Sequence, residues 1–389
     1  MSAPTTSSLS TDLRAYRRKL REFLDSAETD RWRNAHYDTV PDELAAHAEL
    51  VALLYEHGWN RYGWPGYASG LGGDERHRAV LYDELAAADL PLPGQHLVLE
   101  TMGPPTVHFS EEISATLLPR FLSGKEWWGQ GFSEPEAGSD LAALRCRAHR
   151  EGEDYVVDGQ KIWTSYGATA ARFMCLVRTG TAESRHRGLS MLLIDADVPG
   201  VTARPIALAS GREELAEVFF DRVRVPATRL IGGHDQGWAT AMYLLQFERG
   251  MYAWAVSTVL GRQLRTLRDQ LTSAGRLPDG AATKLGTVAM DILALRARSG
   301  RTVARLARGE AIGPEASTDK ILLATAEQGL FDAARELLGA RMDLEPDSDA
   351  ERWRAHWWYS RAATIMGGSA EVQRGILADH VLRLPGDKN

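Results

Sequence analysis

Four short stretches of this 389-residue chain combine side chains suited to chemistry. GQGFSEPEAGSD, residues 129 to 140, is rich in small residues, so backbone N–H groups can approach a ligand closely while Ser133 and Ser139 offer hydroxyls. A surface turn is the alternative reading. DGQKIWTSYG, residues 158 to 167, ends a strand-like run in an indole beside hydroxyls, which suits a planar heteroaromatic cofactor; Trp163 as ordinary core is the alternative. In QFERG, residues 246 to 250, Glu248 interrupts an apolar helical stripe made by Ala241, Leu244, Leu245, Met251 and Tyr252. A carboxyl so placed is partly withdrawn from water, the setting a general base near neutral pH requires, although a structural carboxylate paired with arginine would read the same way. IMGGSAEVQR, residues 365 to 374, reads as a glycine break leading into a short helix.

The elements that must position these residues change character twice along the chain. Residues 1–125 show apolar positions at three- and four-residue spacing, broken by GWPGYASGLGG, PLPG and GPP, and predict a helical domain. Residues 126–230 shorten to runs rich in β-branched and aromatic residues separated by turn-like EGED, TGTAES and DVPG, and predict a β domain. Residues 231–389 return to longer helical segments, including one continuous run from Trp238 to Leu271, and predict a helical bundle.

Composition narrows the partners. A net charge of -7 argues against broad attraction to nucleic acid or an anionic membrane surface. No run of about 18 apolar residues marks a membrane span, and the polar opening MSAPTTSSLSTD reads as a frayed start rather than a signal peptide. Cys146 and Cys175, the only cysteines, suit a reducing cytoplasm and read as inert core thiols.

Taken together and in order, FSEPEAGSD, DGQKIWTSYG, FERG and MGGSAEVQR ahead of LADHVLRLP resemble the acyl-CoA dehydrogenase family over nearly the whole chain. The resemblance implies a mainly α fold with an N-terminal helical domain, a middle β-barrel and a C-terminal four-helix bundle, holding FAD. It implies that Gln130, Phe132, Ser133, Gly138 and Ser139 line the flavin and its pyrophosphate. Trp163 would cover the ring system, with Thr164 and Ser165 hydrogen-bonding beside it. Ser369, Glu371 and Gln373 would complete the cofactor site across a subunit boundary, while Ser139, Arg249, Gly367 and Gly368 would meet substrate. No metal is implied.

The implied reaction removes two hydrogens across the Cα–Cβ bond of an acyl thioester, passing electrons to an electron-transfer flavoprotein. In much of the family the base is the glutamate of a Y-E-G-T-type motif, and here that position is Gly367, which has no side chain. A second branch, resembling isovaleryl- and long-chain-type enzymes, carries its base in an L-x-x-E-R segment, which Gln246-Phe247-Glu248-Arg249 matches. Glu248 is therefore the expected base. Gly367 either leaves volume for a branched or bulky acyl group or only accommodates the helix break. The R-x-x-F-G segment that reaches FAD across subunits has no match in LRTLRDQLTSAGRLPDG, and ELLGA poorly reproduces a Q-x-F-G-G loop. These departures leave a homo-oligomer (dimer or tetramer) and a heterotetramer open. A carrier-protein thioester, an oxidase, and a non-catalytic subunit of a heteromeric enzyme are the alternative readings.

Overall fold

The computed structural model describes residues 12–273, 275, 280–345 and 348–385. Of the expected frayed start only Asp12 is included, and most of SAGRLPDG also lies outside the described residues.

Five helices come first: α1 (Leu13–Leu24), α2 (Val40–Glu56), α3 (Glu75–Ala87), α4 (Gly94–Phe109) and α5 (Glu111–Leu122). Their starts are written in the sequence. Asp12, Thr39 and Ser110 accept hydrogen bonds from Arg14, Asp42 and Ile113 backbone N–H groups, capping α1, α2 and α5. The GPP cluster, expected to punctuate the helical region, instead lies inside α4, whose Pro104 and Pro105 are buried. Packing overrides their missing donors there, and a Cβ on Gly103 would come within 2.6 Å of the Trp64 ring.

Eight strands follow: β1 (Trp128–Gly131), β2 (Arg147–Glu151), β3 (Asp154–Ser165), β4 (Arg172–Arg178), β5 (Leu189–Asp195), β6 (Val201–Ile206), β7 (Leu215–Pro226) and β8 (Leu230–Ile231). They form one sheet in the order β6-β7-β3-β2-β4-β5-β8, with β1 running parallel to β4. The expected β-barrel is not what forms: the strand path has two ends, β6 and β8, and the sheet stays open. The local chemistry accounts for both ends. β6 carries Pro205, which cannot donate to a further ladder, and β8 has two residues, enough to pair only with Met191 and Leu192 of β5. Both faces of the sheet are covered. Met174, Leu176, Met191 and Leu193 join a core with Leu99, Met102, Leu118 and Phe121, while the alternating Phe173, Cys175, Val177, Leu192 and Ile194 join a second core with Tyr155, Val218 and Val223. Cys146 and Cys175 are free and buried in that second core, and burial pushes the Cys146 thiol up to about 11.

The remaining helices are α6 (Gly237–Arg249), α7 (Met251–Ser273), α8 (Ala281–Leu306), α9 (Ser317–Leu338), α10 (Ala340–Leu344), α11 (Ser348–Ser360) and α12 (Ala370–Ile376). The run expected to be one long helix is thus broken between Arg249 and Met251, at Gly250. The chain divides into two compact units. One comprises the residues up to Arg78, Pro93–Leu208 and Glu213–Phe247; the other comprises Ala79–Leu92, Ala209–Arg212 and the chain from Glu248 onward. The second has its own core, in which Leu260 and Leu267 of α7, Ile292 and Leu295 of α8, Leu323, Leu330 and Phe331 of α9 and Trp353 of α11 pack together. Within it Arg296 of α8 pairs with Asp83 at 2.9 Å and stacks on Trp254 of α7.

Candidate active site

In the first unit, β1 enters the loop through Gly129 and Gly131. A Cβ on Gly129 would come within 2.7 Å of Thr164 Cγ2, and one on Gly131 within 2.5 Å of Cys175 Sγ, so only glycine lets β1 lie against its neighbours here. The loop is then tied to β3. Lys161, with 0% exposure, donates from Nζ to Glu134 Oε1 at 2.7 Å and to the Phe132 carbonyl at 3.1 Å. Glu134 also accepts from the Cys146 backbone N–H at 2.9 Å, and Ile162 N–H donates to Ser133 O at 2.9 Å. A buried ion pair with its remaining lone pairs satisfied is the kind that holds geometry.

Beyond that tie β3 breaks register between Lys161 and Thr164. Trp163 sits in this bulge with φ of 62°, a left-handed backbone that is costly for a bulky residue, by about 1–3 kcal/mol. The result is an indole 54% exposed beside Thr164, whose buried Oγ1 has no hydrogen-bond partner, and the half-buried Ser165. Gln130, Phe132, Ser133, Trp163, Thr164 and Ser165 are thus gathered where β1 and the end of β3 meet, while Gly138 and Ser139 lie exposed further along the loop. A flat aromatic face, an orphaned hydroxyl and small residues suit a flavin ring and its phosphates.

In the second unit, Glu248 stands in the last turn of α6, half-buried. Gly367 (φ 66°) and Gly368 (φ 93°) form the left-handed turn ahead of α12, whose first N–H groups are capped by Ser369. The atom nearest the missing Gly367 side chain is Glu248 Oε1, 2.8 Å from where a Cβ would stand, followed by Lys320 Cε at 3.4 Å. Arg249 lies beside Gly368, with a guanidinium nitrogen 3.8 Å from that residue's Cβ position, and its buried Nε has no hydrogen-bond partner. Gln373 is fully buried with both amide atoms unpartnered, whereas Glu371 is exposed. A cleft of about 250 Å³ is lined by Lys320, Gln328, Gly368, Gln373 and Arg374.

Two charged groups here escaped sequence reasoning. Lys320 and Glu327 of α9 are seven residues apart and nearly buried, at 8% and 9% exposure. Opposite charges two helical turns apart on an otherwise apolar face were the available signal. Burial pushes the Glu327 carboxyl up to about 7 against the pull of Lys320 and Arg361. The stability this raised group lends is complete below its ordinary 4.5 and is lost as pH rises to about 7. Glu327→Gln lacks that loss, so its melting temperature should gain on the wild type across that window, by the equivalent of about 1–3 kcal/mol.

An open sheet with a flavin-compatible bulge in one unit, and a carboxylate set against a glycine turn in the other, are features that suit a flavin-dependent oxidoreductase. Residues 129–223 match the acyl-CoA dehydrogenase middle domain and residues 235–382 the acyl-CoA dehydrogenase C-terminal domain. The chain belongs to the acyl-CoA dehydrogenase family and is an FAD-dependent oxidoreductase acting on a thioester. Among its relatives, the acyl-CoA dehydrogenase IpdE1 of Mycobacterium tuberculosis is 36% identical over 83% of this chain and 84% of its own length. The solved Tcur3481-Tcur3483 steroid ACAD has a TM-score of 0.80 at 27% identity, covering 96% of this chain and 97% of that one. The ChsE4-ChsE5 complex from Mycobacterium tuberculosis has a TM-score of 0.78 at 26% identity, covering 98% and 99%.

Proposed function

We propose that this chain dehydrogenates the Cα–Cβ bond of a bulky, ring-bearing acyl-CoA, with Glu248 as the base that takes the α-proton. The observation that carries this reading is the approach of Glu248 Oε1 to the Cβ position of Gly367. The carboxylate comes from a different helix to the point where much of the family has its glutamate. The space left by glycine is therefore used by Glu248 itself, which favours the moved base over extra acyl volume at this position. FAD, when bound, supplies the acceptor for the β-hydride. Trp163, Thr164 and Ser165 would hold its ring and Gln130, Phe132, Ser133, Gly138 and Ser139 its neighbouring portion, with Ser369, Glu371 and Gln373 completing a site between subunits. Arg249, Gly367 and Gly368 would border the thioester.

The ring-bearing acyl group is supported by similarity to an enzyme described as a steroid ACAD. An anaerobic visible spectrum taken through a titration with linear, branched and ring-bearing acyl-CoAs tests it. Bleaching of the flavin band by ring-bearing thioesters is expected; bleaching only by linear ones would reject the substrate class.

Assembly with a second, related subunit is favoured by likeness to the ChsE4-ChsE5 complex and by the missing R-x-x-F-G segment. An electron-transfer flavoprotein is the proposed acceptor. The cytoplasm is the proposed compartment, on the two unpaired buried thiols. Among the described residues no helix is long and apolar enough to cross a membrane.

A further inference from the structure

We infer that Lys320 is the positioning residue for the base, its buried ammonium acting across Gly367 as the fixed positive charge that holds the Glu248 carboxylate in place. The inference rests on Glu248 being the base. Its support begins with geometry. Glu248 Oε1 and Lys320 Cε are the two nearest groups to the absent Gly367 side chain, so the carboxylate and the lysine stem are neighbours across the glycine. Lys320 Nζ is anchored by donating to the Ala363 carbonyl at 2.6 Å. That acceptor is neutral, so the anchor fixes the ammonium without cancelling its charge. A glycine at 367 matters twice: it admits the Glu248 oxygen, and it leaves no side chain to screen one charge from the other.

The surrounding charges are distributed so that Glu248 is one of two carboxylates acting on this cation. Burial pulls the Lys320 ammonium down, while Glu327 and Glu248 pull it back up and Arg249 adds to the depression. Glu327, on the same helix, is the competitor, and it is itself drawn toward Arg361, which pairs with Asp332 at 2.9 Å. Arg374 of α12 lines the same cleft as Lys320. Asp319, the preceding residue on α9, turns to α8, where Thr302 Oγ1 lies at 3.1 Å and Arg298 at 3.4 Å. The field at Glu248 is thus set by Lys320 and Arg249.

A positive charge within about 4–6 Å lowers a carboxyl's proton affinity, and its removal raises it. Lys320→Met should therefore shift the acid limb of the kcat/KM pH profile upward, read as a loss of activity on the acid side that shrinks toward high pH. Lys320→Arg, which keeps the cation, should leave the limb where it is. Glu327→Gln, nearly isosteric, should leave the limb where it is, since burial already keeps Glu327 protonated below about 7. A Lys320→Met profile that is lower at every pH with an unmoved limb would show a merely structural lysine and overturn the inference. If Lys320→Met fails to fold, Lys320→Gln is read in its place, and an unmoved limb there does the same. Glu248→Gln separates the two claims: if it keeps full activity the base assignment itself falls, whereas an inactive Glu248→Gln beside an unmoved Lys320→Met limb rejects only the role of Lys320.

Discussion

Glu248→Gln is expected to lower kcat by about 10²–10⁴ while the protein still folds and still takes up its flavin. The amide keeps the shape of the side chain in the last turn of α6 but cannot accept the α-proton. Its neighbours across the turn, Gly367 and Lys320, offer no substitute: one has no side chain, and the other is an ammonium already committed to the Ala363 carbonyl. Loss should fall on kcat more than on thioester binding, since the carboxylate is needed as the proton leaves. Incorporation of solvent deuterium at the α-carbon of a substrate analogue is the second readout. It should vanish with the carboxylate even where hydride transfer is blocked. Retained exchange in the variant would point to another base.

The second large effect belongs to the other unit. Lys161→Met should destabilise the protein by about 3–5 kcal/mol, because it leaves the Glu134 carboxylate buried without its cation. Glu134 keeps its bonds from backbone N–H groups such as that of Cys146, so the lower end of this range is the better expectation. The same change frees the Phe132 carbonyl and loosens the loop from β3. Flavin should then dissociate more readily, measured as absorbance lost on gel filtration. Pairing it with Glu134→Gln removes the stranded charge and should recover most of the melting temperature. If the double variant is no more stable than the single one, the penalty lies in packing rather than in charge.

The sequence made the two kinds of structure legible because helix and strand differ in apolar period, and β4 and β5 alternate between the two cores as period two requires. It did not reveal that the sheet stays open. Alternation tells which face a residue takes, whereas closure depends on whether the two end strands can pair with each other. A two-residue β8 and the proline in β6 decide that question locally. The break at Gly250 was hidden because the apolar stripe runs through it without interruption. In the site, the loop after β1 and the indole on β3 were visible as residue types. The approach of Glu248 to Gly367 joins positions more than a hundred residues apart, and only the family resemblance suggested it. Lys161, Glu134, Lys320 and Glu327 were passed over because charges in apolar runs look like solvated edges until their burial is known.

The left-handed backbone at Trp163 has a consequence for any attempt to improve this protein by selection. Glycine at that point would relieve the backbone, yet it would also delete the exposed aromatic plane beside Thr164 and Ser165. With Trp163 in the cofactor role proposed for it, heat tolerance and flavin binding pull this codon in opposite directions. A library screened for survival at high temperature alone would be drawn to discard the indole, and one screened for activity would keep paying its conformational cost.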